Sequence, residues 1–155
     1  MFKNTHEDTY SEAAILPKDT SGSAQTGRAV RIADYRKARI CILSGAWAGG
    51  TAAVTVEQGK GVAMNDNKPL AFTIVEKKVA GAEKFVQTAV TANTFNISAA
   101  NTLHIIELDS DMLDAGFDSI QLKTATPGAN ADLITAWYEL SGSRYNAEVL
   151  PNPNA

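Results

Sequence analysis

The chain has 155 residues, 45% of them hydrophobic, 20% charged and 7% aromatic, with a formal net charge of −3. This length favours one domain with enough apolar mass for a core, and the composition excludes a fully disordered chain. No run approaches the roughly 18 to 20 apolar residues of a membrane-spanning helix, net acidity argues against a general nucleic-acid binder, and the single cysteine, Cys41, rules out an intrachain disulfide or a cysteine-held zinc site.

The opening MFKNTHEDTYSE is polar and acidic and lacks the basic-then-apolar layout of a secretory signal. Residues 1–27 carry few large apolar side chains, with Ile15, Leu16 and Pro17 as the one hydrophobic anchor, so they read as an extended arm. Five basic residues follow closely, Arg28, Arg31, Arg36, Lys37 and Arg39. From Arg36 to Leu43 the pattern alternates, with Ala38, Ile40 and Ile42 on one face and Arg39, Cys41 and Leu43 on the other. Trp47 precedes a glycine turn, Ala48-Gly49-Gly50, and Thr51 to Glu57 alternates again through Ala52, Val54 and Val56.

Gly59 to Gly61 and Asn65 to Asn67 read as loop. Pro69 opens a run, Leu70 to Val75, rich in β-branched and aromatic residues. Phe85–Val90 and Thr94–Ile97 give two more strands, and Leu103–Leu108, the most apolar run, belongs near the centre of a sheet. Asp109 to Asp114 reads as one helical turn with an acidic cap, closed by Gly116. Ile120–Thr124 is a short strand, Thr126-Pro127-Gly128 a turn, and Leu133–Leu140 the last strand, with Ile134, Ala136, Tyr138 and Leu140 inward and Trp137 packed against a neighbouring layer. The two prolines of the tail exclude a helix or inner strand there. The expected fold is all-β, an antiparallel sandwich or barrel of about eight short strands with extended N- and C-terminal arms. Its divisions are an N-terminal arm over 1–27, a β-domain over 28–148 and a C-terminal tail over 149–155.

Charge is distributed unevenly. Residues 1–84 hold twelve Lys and Arg against nine acids, and residues 85–155 hold two against eight. The two parts can attract one another between copies or toward a partner. Chemistry-bearing residues are sparse. His6 lies in the polar arm, and His104, between Leu103 and Ile105, reads as a packed strand residue. No nucleophile elbow accompanies a serine, and Cys41 alternates like a core residue. Asp109, Asp111, Asp114 and Asp118 are spaced like possible calcium ligands but lack the glycine and terminal glutamate of a helix-loop-helix site, and capping accounts for Asp109. Glu107 and Asp109 are a weak acid pair for glycoside chemistry. The glycines at 45, 49, 50, 59 and 61 lack a P-loop's Lys-Ser ending and a dinucleotide fingerprint's frame. No catalytic, cofactor-binding or metal-ligating residue is assigned.

Several segments in order carry a resemblance. They are Ala48–Gln58, Pro69–Thr73, Thr88–Phe95, Ile106–Asp118, Pro127–Ala131 and Leu140–Tyr145. Together they resemble a recurrent small virion protein of tailed bacteriophages, of the minor capsid, decoration or head-stabilising type. The resemblance implies a non-enzymatic structural protein without a cofactor, found on the capsid exterior of the virion and in the host cytoplasm during assembly. Its partners would be the major capsid protein and further copies of itself, as a dimer or trimer, with no nucleic acid or membrane contact. The residues expected to make contacts are Ile15, Leu16, Pro17, Arg28, Arg31, Arg36, Arg39 and Trp47. The alternatives are a tail or head-to-tail connector component and, in another class, a carbohydrate- or receptor-binding module that would stack sugars on Trp47, Tyr138 and Tyr145.

Overall fold

The computed structural model describes residues 9–91, 93–144 and 152–154. Eleven strands run in chain order among them: β1 (Thr9–Asp19), β2 (Gln25–Arg31), β3 (Tyr35–Trp47), β4 (Ala52–Lys60), β5 (Asn65–Pro69), β6 (Ile74–Val79), β7 (Val86–Ala89), β8 (Thr94–Ile97), β9 (Thr102–Asp109), β10 (Ser119–Thr124) and β11 (Asp132–Ser143). A 3-10 turn, Ser110–Met112, follows β9 with Asp109 at its N-cap position. The first sheet has the order β1-β11-β3-β9-β6-β7 and the second β2-β10-β4-β5, with β8 also paired to β4. Every pairing is antiparallel. Both sheets end in open edges, so the architecture is a sandwich and not a closed barrel.

The core lies between the sheets. Ala38, Ile40 and Ile42 of β3 face Val54 and Val56 of β4, and Ile134, Ala136, Tyr138 and Leu140 of β11 join them. The period-two alternation of each strand puts its apolar set on one face. Leu103–Leu108 falls within β9, an inner strand of the six-stranded sheet. Tyr138 is fully buried, and its hydroxyl donates to the Arg28 carbonyl and accepts the Leu122 N–H, tying β11 to both β2 and β10 across the core.

Three strands exceed the sequence expectation. Residues 9–27 are not a free arm: β1 pairs along β11, β2 pairs along β10, and Ala14 and Ile15 enter the core. Edge strands bury one narrow stripe, so a few apolar residues suffice. β5, expected as loop over Asn65–Asn67, forms through backbone pairing and polar side-chain contacts such as Lys68 with Asp114, since all five of its residues are exposed. In the run after Pro69, expected as a strand from Leu70 to Val75, Leu70, Phe72 and Val75 are buried and Ile74 is exposed. The run is not strand at 70–73, because there the chain crosses from β5 in one sheet to β6 in the other.

The described part of the C-terminal tail lies against the start of the fold. The Arg31 N–H donates to the Pro153 carbonyl at 2.7 Å, and the Asn154 side chain donates to Glu12 at 2.8 Å. His6, Tyr145 and Leu150 fall outside the described residues.

Candidate functional site: the outer face of the six-stranded sheet

The solvent face of the six-stranded sheet is built from the odd-numbered positions of β3, β9 and β11. Lys37 lies opposite Asp109 and Ser141, and Arg39 opposite Glu107 and Glu139. Cys41 lies opposite Ile105 and Trp137, and Leu43 opposite Leu103 and Thr135. One half of this face is therefore a charge lattice and the other an apolar strip.

In the charged half, the Arg39 guanidinium is 3.0 Å from a Glu107 carboxylate oxygen and 3.6 Å from one of Glu139. Burial lowers the Arg39 pKa, and the bond to Glu107 with both carboxylate charges more than reverses that, so it is raised overall. Lys37 reaches Asp109 at 4.0 Å. The Trp137 indole N–H donates to Glu139 at 3.1 Å, so this tryptophan lies on the outer face and does not pack against the opposite layer as expected.

In the apolar half, Leu43 and Leu133 are 39% and 46% exposed, and Cys41 and Ile105 are buried beneath their neighbours. Burial pushes the Cys41 thiol up to about 12, which removes the thiolate a nucleophile would need. Beyond β9 the strip is bounded by Glu76 and Lys78 of β6, opposite Ile105 and Leu103, and the exposed Ile74 lies further along β6 toward the charged half.

The contact residues expected from sequence are scattered over the fold. Ile15 points into the core and is 6% exposed, so it presents no contact surface. Leu16 and Pro17 stand exposed at a register break in edge strand β1. Arg28 and Arg31 lie on β2 and Arg36 and Arg39 on β3, in different sheets. Arg28 pairs with Glu12 at 3.1 Å, and Arg31 stands 3.6 Å from Asp34 and 3.7 Å from Asp118. Arg36 is exposed at the start of β3, its stem over Gly142. Trp47 is half-buried, its indole N–H bonded to the Gly50 carbonyl. A side chain at Gly50 would strike the Pro127 carbonyl, and its φ of 84° also favours glycine, so glycine is required beneath that indole. The close sequence spacing of the arginines gave a patch that the topology divides, because β2 and β3 enter different sheets. Glu107, Glu139, Leu103 and Leu133 are not among the contact residues expected from sequence, and Glu107 enters there only as half of an acid pair with Asp109. Alternation gave their faces, but only strand pairing brings them together.

The acids after β9 also disperse. Asp111 bonds Arg144, Asp114 bonds Lys68 and Gln58, and Asp118 accepts the Gly61 N–H and the Ser119 hydroxyl. With Asp109 held toward Lys37, the four carboxylates have four sets of partners and form no metal-holding group among the described residues. His104 points inward beside Phe95, with ring centroids 5.3 Å apart. Tyr138, a candidate sugar-stacking residue, is sealed in the core and offers no platform.

No protein-family description matches the chain, and no curated protein matches it in sequence. Its fold is shared with the SPBc2 prophage-derived protein YomS, with a TM-score of 0.52 and 12% identity over 86% of this chain and 94% of that one. A looser likeness joins 92% of this chain to 35% of a chain in the structure of infectious bursal disease virus Gx strain, at 14% identity and a TM-score of 0.43, too low to carry weight. At these identities the likeness to YomS is one of fold.

Proposed function

We propose that this chain is a non-enzymatic structural protein of a bacteriophage particle, a minor capsid or decoration protein that binds the major capsid shell and adds contacts between neighbouring subunits. The observation that carries the reading is the fold shared with a prophage-derived protein over most of both chains. The ordered segments resembling small virion proteins agree with it. The outer face of the six-stranded sheet supports it physically: an apolar strip around Leu43, Leu103 and Leu133 beside a mixed-sign lattice supplies burial and orientation together. Many weak contacts of this kind on a repeating shell combine into tight attachment. A tail or connector position uses the same surface and differs in copy number, hundreds per particle for a decoration protein against a handful.

Co-sedimentation of the labelled protein with purified phage shells tests the reading. Wild type is expected to reach saturating occupancy, and Leu43→Asp combined with Leu133→Asp to lose at least tenfold in affinity while remaining folded. Absence of the protein from mature virions, or equal occupancy by the double variant, overturns it. Deletion of residues 1–27 is unsuitable as a test, because it removes all of β1.

A further inference from the structure

We propose that β7 is a self-pairing edge, through which two copies of this chain join antiparallel about a two-fold axis to extend the six-stranded sheet across both. The inference stands apart from shell binding, since it concerns the free protein.

Strand edges display unpaired backbone groups, and proteins blunt them with proline, charge, bulges or a covering segment. The other ends of the two sheets carry such devices. β1 has Pro17, Lys18 and two breaks in register. β2 has its Arg31 N–H capped by the Pro153 carbonyl. β5 has Asp66, Lys68 and Pro69, and Asp66 has φ of 52°. β8 keeps half of its residues buried, and Thr91 bridges its first residue. Among the described residues β7 carries none of these: it pairs with β6 without a break, all four residues are exposed, and Val86 is 62% exposed.

Register fixes how a second copy fits. The Val90 N–H donates to the Thr73 carbonyl, so by the two-residue period Val86 and Thr88 also direct their backbone groups toward β6. Gln87 and Ala89 therefore direct theirs outward. An antiparallel partner that satisfies both sets Gln87 opposite the second copy's Ala89, with the two-fold axis at Thr88. Thr88 then faces its own counterpart in a non-hydrogen-bonded pair, where side chains approach most closely, and Val86 meets the second copy's Val90.

Charge selects a second copy as the occupant. Residues 85–93 contain no Lys, Arg, Asp or Glu, so a self-pair brings no like charges together. The same operation on β2 would set Arg28 and Arg31 of one copy against those of the other, whereas β1 and β5 carry charges of both signs and are blunted by proline and broken or irregular backbone instead. Four residues bury far less than the roughly 1,600 Å² of a standard interface, so the dimer is weak and forms as concentration rises.

Sedimentation of the full chain over increasing concentration is expected to show monomer passing to dimer, with Gln87→Lys and Ala89→Pro each remaining monomeric. Thr88→Cys reads the register, because the native Cys41 is buried and contributes no background. Under mild oxidation it is expected to form a covalent dimer at least tenfold faster than Leu16→Cys, which is exposed on the opposite edge. Wild type that stays monomeric throughout, or cross-linking of Thr88→Cys no faster than Leu16→Cys, overturns the proposal.

Discussion

The hydroxyl of Tyr138 and the backbone N–H of Leu122 meet at 2.9 Å, a bond that joins the two sheets through the middle of the core. The pairing of β10 with β2 breaks register between Gln121 and Lys123, and that break frees the Leu122 N–H. Gly27 sits at the same place, where a Cβ would lie 3.1 Å from the Leu122 carbonyl and 3.2 Å from that of Ala14. Tyr138→Phe keeps the ring and strands two backbone groups, the Leu122 N–H and the Arg28 carbonyl. A loss of about 2 to 6 kcal/mol is expected, at about 1 to 3 kcal/mol per unsatisfied buried group. Urea unfolding measures it, and a loss below about 0.5 kcal/mol would refute the bridging role.

His104 gives the fold an acid-sensitive element. Burial, with Lys77 as the lesser cause, lowers its pKa from 6.5 to about 4, and its Nδ1 has no hydrogen-bond partner among the described residues. The unfolded chain takes up a proton near pH 6.5 that the folded chain refuses until about pH 4. Stability should therefore fall as pH drops through that window, by about 3 kcal/mol from this group. Denaturation at several pH values should show a flatter profile for His104→Leu than for wild type. Parallel profiles would exclude His104 as the source.

Asp132 organises the loop between β3 and β4. It is fully buried, and its carboxylate accepts the N–H groups of Ala48 and Gly49. Asp132→Ala leaves both donors without their partner and should cost about 1 to 3 kcal/mol. Asp132→Asn retains one oxygen for them and should cost less. The indole N–H resonance of Trp47, bonded to the neighbouring Gly50, should shift in the alanine variant while that of Trp137 stays in place.

The Cys41 thiol should resist alkylation in the native state. With its pKa pushed up to about 12 from 9 and its side chain covered, it holds little thiolate near neutral pH. Its modification should track global unfolding in denaturant. Rapid labelling of the native protein would show that the apolar strip opens locally.

Alternation made the inner strands legible. Ala38, Ile40 and Ile42, and then Ile134, Ala136, Tyr138 and Leu140, declare one buried face each, and all of them lie in the core. Strands supported by backbone pairing were not legible. β5 buries nothing, and β1 commits only Ala14 and Ile15, so side-chain pattern carried too little signal. The charged residues misled for a related reason. Arg31 and Arg36 are five positions apart in sequence but belong to strands of different sheets, so proximity along the chain did not become proximity in space. The apolar and charged halves of the candidate site depend on which strands are neighbours, and alternation is silent about that.

The pairing of basic β3 with acidic β9 and β11 also resolves an ambiguity in how these strands find one another. Apolar alternation penalises a slip by one position, which would turn Arg39 inward, but a slip by two keeps every greasy side chain on its proper side. Charge removes that degeneracy. Displaced by two against β9, only one of the two ion pairs could form: Arg39 with Asp109, leaving Glu107 opposite Cys41, or Lys37 with Glu107, leaving Arg39 opposite Ile105. The lopsided distribution of acids and bases along the polypeptide thus works as an alignment key, and it is spent inside the molecule before any partner meets it.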